Sequence, residues 1–197
     1  SFQTAWLKAH YPSQFMAANL SADMQNIDRV VVLVDEIRAM GLTLMPPSVN
    51  ISEYRFTVER AAVVYGLGAV RGVGEGPVEA IVAARRDGAF RDLMDFCRRV
   101  DSRKANKRVH EALIGAGACD EFALSGESVN DTRARLRAEL PNAIKGADQL
   151  TRNEAAGMTD MFGGAGAQDS AAEIAIGQVH YVSLTSRDRL AGEKETL

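Results

Sequence analysis

The sequence is poor in the residues that staple or metallate a fold. Cys97 and Cys119 are its only cysteines in 197 residues, too few for a disulfide framework and without metal-ligand spacing. They read as reduced thiols, packed as small hydrophobes in a cytosolic protein. His10, His110 and His180 are scattered, which weighs against a metal centre or a His-based triad. There is no apolar run of about 18 residues, so nothing in the sequence reads as a membrane span; "VVVLV" at 30–34 is far too short. The N-terminus lacks the basic region and apolar core of a secretion signal. No Asp-x-Asp pair occurs, and no Gly-Lys-[Ser/Thr] of a nucleotide-binding loop. Gly66 and Gly68 follow a strand-like run, but Arg71 stands where the dinucleotide pattern G-x-G-x-x-G requires its third glycine.

What is present is ordinary globular composition, 46% hydrophobic and 25% charged, with an uneven distribution of charge. From Arg71 to His110 there are ten basic and six acidic residues, a local +4 that leaves −7 to the rest of a chain of net charge −3. The densest stretch is "RRVDSRKANKR", Arg98 to Arg108, with six basic residues and one acid. Such a patch attracts phosphates by Coulomb forces and counterion release, or it is a solvated helix face.

Residues 1–40 read as helices broken at Pro12, with Ile27, Val30, Val31, Val34 and Ile37 at helical spacing and Gly41 as a C-terminal stop. "MPPSVN" at 45–50 is extended, since consecutive prolines fix φ and remove donors. Between 53 and 66 the period changes. Tyr54, Phe56 and Val58 alternate with polar residues, "ERAA" follows, then Val63 to Tyr65, which predicts a β-hairpin that must pack on helices. Short helices follow. One opens near Pro77 with Val78, Ile81 and Val82 inward; one carries Leu93, Phe96, Cys97 and Val100; one is capped by Asn106 with Val109, Leu113 and Ile114 inward. Beyond Phe122 the pattern thins to Val129, Leu136 and Leu140, "ELPN" breaks it, and one more weakly anchored helix follows. Gly163 to Gly177 reads as linker. A terminal helix in "LTSRDRLAGEKETL" has no evident packing partner, which hints at a fragment.

"VRGVGEGPVEAI", Val70 to Ile81, carries the most chemistry. Two glycines around one apolar residue permit a tight turn between helices, plugged by Val73. Gly72, Gly74 and Gly76 lack a Cβ, so a phosphate can approach their backbone N–H groups. The helix that follows adds its N-terminal partial positive charge, and Arg71 stands beside it. This is the logic of a helix-hairpin-helix, which grips one strand's backbone without reading bases. A purely structural tight turn is the competing reading. Gly115 to Gly117, in "KRVHEALIGAGACDEF", repeat the Gly-apolar-Gly pattern, but Asp120 and Glu121 follow them instead of basic residues, which favours packing over phosphate.

Several stretches together resemble one family: "QTAWLKAHYPSQFMAANLSADMQN", "YGLGAVRGVGEGPVEAIVAAR", "FRDLMDFCRRVD", "NKRVHEALIGAGACD", "ADQLTRNEAAGMTDMFGG" and "EKETL". In order and spacing they resemble the α subunits of bacterial DNA polymerase III, the replicative C-family polymerases. The resemblance implies an internal piece of a longer, cytoplasmic DNA-directed DNA polymerase. It divides the chain into the end of the fingers (1–52), a β-hairpin (53–65), a tandem helix-hairpin-helix region (66–122) and a helical connector (123–156). A sliding-clamp-binding motif (157–163), a linker (164–182) and a segment leading towards an OB domain (183–197) complete it. The fold class expected is mainly α with a small β-hairpin, a tandem helix-hairpin-helix unit packed on fingers helices.

The resemblance also implies partners: double-stranded DNA held by its backbone, the sliding clamp (β) and other subunits of the holoenzyme. Arg71, Gly72, Val73, Gly74 and Gly76 are the expected DNA-contact residues, with Lys104, Lys107 and Arg108 adding charge. In "MTDMF", Met158, Asp160, Met161 and Phe162 match the family's clamp motif, except that Met158 stands where the family prefers Gln. The two divalent metal ions of polymerase chemistry, Mg2+ in kind, belong to carboxylates in the palm, upstream of this segment; no cofactor and no catalytic residue is expected here. A structural module that packs polymerase domains without touching DNA is the alternative, and an independent small enzyme a distant third.

Overall fold

The computed structural model describes residues 2–155 and 182–196. Three helices come first: α1 (Phe2–His10), α2 (Pro12–Asp23) and α3 (Ile27–Ala39). Pro12 takes the first position of α2, where its missing N–H costs nothing. Asn26 caps α3 by accepting a hydrogen bond from the Arg29 N–H. The inward stripe of α3 is Val30, Leu33 and Ile37, whereas Ile27 and Val31 are half exposed. The apolar run 30–34 offers two overlapping stripes, and packing against α2 selects between them.

The expected hairpin exists and gains a strand. β2 (Thr57–Glu59) pairs antiparallel with β3 (Ala62–Val64), and β1 (Leu44–Met45) adds to the other edge of β3 in parallel, giving the order β1-β3-β2. The register pairs Leu44 with Val63 and Thr57 with Val64. The two-residue turn is made by Arg60 and Ala61, both at positive φ; Ser13 of α2 donates its hydroxyl to the Ala61 carbonyl and holds it. Met16, Leu20, Val30, Leu33, Ile37, Phe56, Val63 and Tyr65 close a first core between α2, α3 and the sheet.

A second core gathers the rest: α4 (Glu75–Ala84), α5 (Leu93–Arg99), α6 (Lys107–Ala116) and α7 (Val129–Ala155). Asp92 and Asn106 cap α5 and α6 by accepting from the N–H groups of Asp95 and Val109. Contrary to the expected break at "ELPN", α7 runs unbroken for 27 residues through Pro141. A proline inside a helix costs about 3 kcal/mol. Pro141 lies on the exposed side, while Leu136, Leu140, Ala143 and Ala147 are buried against α5 and α6 and offset the loss.

α8 (Ser186–Thr196) does have a partner: it lies against α6. Residues 46–52 join the two cores. Val49 donates its N–H to the Ala118 carbonyl, and the Asn50 side chain exchanges two hydrogen bonds with the Phe90 backbone. Arg85 donates to the carbonyls of Val49 and Ser52 and pairs with Glu53 at 2.6 Å. Among the described residues no helix is long and apolar enough to cross a membrane.

Candidate nucleic-acid interface

The first glycine hairpin is built from a short 3-10 turn (Leu67–Ala69), a reverse turn and the start of α4. The Val73 N–H donates to the Val70 carbonyl at 3.0 Å, closing a turn with Arg71 and Gly72 at its corners. Gly72 has φ +84°, the sign a type II turn requires at that corner and one that a side chain resists. Val70 and Val73 point back into the second core and are almost wholly buried. Val73 is thus the plug of the hairpin, and of its atoms only the backbone can meet a ligand.

The outer side is open. A Cβ added at Gly72 or Gly76 would meet nothing within 4 Å, and one at Gly74 only touches Pro77 at 4.0 Å. Arg71 is exposed and makes no ion pair among the described residues. Gly74 caps α4 without a side-chain hydrogen bond, so the N–H groups of Glu75 and Gly76 have no carboxylate or hydroxyl acceptor among the described residues, and Pro77 has no N–H to satisfy. Pro77 sits third in α4, after Glu75 and Gly76. Glu75 is the one acid of that first turn. Gly66 and Gly68 serve differently. A Cβ at Gly66 would lie 2.6 Å from the Arg55 backbone, and one at Gly68 would lie 2.5 Å from the Tyr54 ring. Their smallness lets the chain cross Tyr54.

The basic cluster splits in two. Arg99 is a structural residue: it donates to the carbonyls of Ala84, Gly88 and Ala89, pairs with Asp95 at 3.1 Å and lies over the Phe90 ring. Arg98 is exposed and 3.8 Å from Asp95. Arg103, Lys104 and Arg108 are exposed with no ion pair among the described residues, and Lys107 makes only an exposed pair with Glu111. The available charge is therefore Arg103, Lys104, Lys107 and Arg108.

The second hairpin is closed. Gly117, at φ +85°, ends α6, and the N–H groups of Gly117 and Ala118 are spent on the Ile114 and Leu113 carbonyls. Arg133 of α7 covers it. Its Nε and Nη2 donate to the two carboxylate oxygens of Asp120 at 2.8 and 2.7 Å, and its Nη1 donates to Glu193 of α8 at 2.6 Å. A side chain at Gly117 would collide with this guanidinium. Burial alone would lower the Arg133 pKa; the hydrogen bonds and charges of Asp120 and Glu193 outweigh it and hold it above the usual range.

His110, one turn into α6, is buried against Phe96. Its Nδ1 hydrogen-bonds the Asn106 carbonyl at 3.0 Å, and its Nε2 has no partner. Burial lowers its pKa, opposed by the Asn106 contact. Burial likewise pushes the Cys97 thiol up to about 12, with Asp148 and Asp92 adding to it, and holds that of Cys119 well above its ordinary value. Both cysteines are free and inert at neutral pH. Among the described residues no three His, Cys, Asp or Glu side chains converge as a metal site. Met158, Asp160, Met161 and Phe162, with the linker after them, lie outside the described residues.

The structural roles of Arg133, Arg99 and Arg85 are not marked in the sequence. Their partners lie 10 or more residues away, except for Asp95 and Phe90 beside Arg99, and no local period marks such residues.

A helix-hairpin-helix family model matches residues 41–129. Curated relatives cover the whole chain or most of it. DNA polymerase III subunit alpha of Pseudomonas fluorescens is 50% identical over 206 residues, all of this chain and 18% of the relative. The protein of the same name from Vibrio cholerae is 47% identical over all of this chain and 16% of its own length. That of Escherichia coli K12 is 50% identical over 83% of this chain and 14% of its own length. The chain thus spans less than a fifth of the relatives it matches.

Proposed function

Since the chain matches a segment of the DNA polymerase III alpha subunits over its whole length, we propose that it is the duplex-gripping and clamp-tethering part of a bacterial replicative DNA polymerase. The observation that carries the DNA half is the open first hairpin. No atom crowds Gly72, Gly74 or Gly76, the N-terminus of α4 carries no side-chain cap, and the neighbouring Arg71 is exposed with no ion pair among the described residues. Backbone N–H donors there suit a phosphate and carry no information about bases. Lys104, Lys107 and Arg108 add charge along the duplex. Polymerisation itself would be the work of the whole subunit. Its metal-binding carboxylates are expected upstream of these residues, and this chain alone is expected to be inactive.

Duplex affinity should be independent of sequence and fall with salt, in the range of about 10⁻⁴–10⁻⁶ M typical of non-specific binding. Titrating labelled duplexes at increasing salt tests this; affinity indifferent to salt would sink the phosphate reading.

The clamp half rests on "MTDMF". Met161 and Phe162 would enter an apolar pocket on the ring-shaped clamp, each worth roughly 1.5–3 kcal/mol. Ordering the motif costs about 1–2 kcal/mol per residue, so the net is weak. Tethering to a ring on the same DNA raises the effective concentration. Without the family's Gln, Met158 supplies apolar contact and no amide. Binding of the chain to the clamp, with Met161 and Phe162 intact and then both replaced by Ala, decides this half. A packing role is the better reading for the second hairpin, whose backbone donors are spent and whose face is covered by Arg133.

A further inference from the structure

We propose that the junction of α7 and α8, beside the closed hairpin, is a second phosphate-binding site made of the Arg133, Arg137 and Arg189 side chains. Three guanidinium groups converge on residues 192–193 of α8. Arg133 donates to Glu193 at 2.6 Å. The Nε of Arg189 stands 4.0 Å from the same oxygen, too far for a hydrogen bond. The Nη2 of Arg137 lies 3.0 Å from where a Gly192 Cβ would project.

Against these three cations stand Asp120 and Glu193, and both oxygens of Asp120 are taken by the fork of Arg133. Among the described residues one positive charge is left over. The Arg189 Nε–H is also buried without an acceptor, and Arg137 has no ion pair among the described residues. The buried Arg189 Nε–H demands an acceptor, and the exposed Arg137 stands beside it at the solvent edge. A compact dianion with several oxygens satisfies two forks at once, and phosphate matches that geometry. Because the N–H groups of Gly117 and Ala118 are already bonded, this site differs in kind from the first hairpin: side chains, not backbone, hold the anion. The phosphate is that of a nucleic-acid backbone or a free one. Only the first source rests on the duplex reading above.

The test uses the whole chain and inorganic phosphate, with thermal unfolding followed at ionic strength held constant by chloride. Phosphate is expected to raise the midpoint of the unaltered chain. In the Arg137→Ala/Arg189→Ala double variant its apparent affinity should weaken by about tenfold or more, whereas Arg38→Ala, on the exposed face of α3, should leave the protection in place. No protection of the unaltered chain overturns the site, as does protection that survives the double variant. Duplex binding then identifies the source. A salt slope smaller by about 1 in the double variant assigns the site to the DNA backbone. An unchanged slope beside lost phosphate protection assigns it to free phosphate. Were the chain to bind no duplex at all, the duplex reading would fail and the unfolding measurement would still decide the site.

Discussion

The two glycine hairpins share a pattern and have opposite surfaces. Both place an apolar residue between glycines, and both have one glycine near φ +85°. In the first, the positive φ belongs to a turn whose outer side is empty, with Arg71 free beside it. In the second, it belongs to the last glycine of the pattern, not the first; Gly117 ends a helix and lies beneath the Arg133 guanidinium. The difference comes from the residues just after each hairpin. Glu75-Gly76-Pro77 starts a ten-residue helix that needs no partner over its first turn. Asp120-Glu121-Phe122 makes only a single 3-10 turn, and its carboxylate recruits an arginine from α7. A shared turn motif is therefore no evidence of a shared role.

The largest effect should come from the keystone of the closed hairpin. Arg133→Ala strands Asp120 and takes from Glu193 its 2.6 Å partner, and breaking a buried ion pair costs about 3–5 kcal/mol; urea unfolding should record a loss of that order. A negligible loss would mean that the closed hairpin is held by the Gly117 turn alone. Next is Gly72→Val, which forces a β-branched residue into a left-handed conformation at a cost of about 1–2 kcal/mol and weakens duplex binding by distorting the turn. Retained duplex affinity in this variant would remove the phosphate role of the open hairpin.

Arg71→Ala separates function from fold more cleanly. Stability should change by less than about 0.5 kcal/mol, as for an exposed residue without partners, while the salt slope of duplex binding falls by about 1. An unfolding midpoint that moves as far as for Arg133→Ala would make the two hairpins alike.

The smallest effect is expected at His110, on the helix leading into the closed hairpin. Its pKa in the folded chain is lowered from 6.5, chiefly by burial. Well above 6.5 the ring is neutral in folded and unfolded chains alike, and stability does not depend on it. As pH falls through 6.5 the unfolded chain takes up a proton that the folded chain resists, so stability falls with pH until the folded pKa is passed. His110→Gln should flatten the loss between about pH 7 and pH 5.5 relative to the parent; parallel curves would show that other groups govern it.

Much of the architecture was legible because it rests on local rules. Pro12, Gly41 and Asn106 mark helix ends by their own local chemistry. The alternation at 54–58 pointed to the hairpin. Residues near in sequence were silent on three points. β1 has only two residues, and its parallel partner lies 19 positions on. Pro141 reads as a break until burial of Leu136, Leu140 and Ala143 outweighs it. The α3 stripe was ambiguous because Val30 to Val34 are all apolar.

The sequence alone determined the helical class, the caps, the positive charge of residues 71–110 and the glycines that permit the hairpins, because each depends on residue type and short spacing. Only the tertiary structure decided which hairpin is open. Arg133 reaches Asp120 and Glu193 across 13 and 60 positions, and Arg99 leaves the basic cluster to bind carbonyls 10 to 15 residues away. Whether a cation is free for a phosphate depends on what surrounds it in space, which spacing along the chain does not encode.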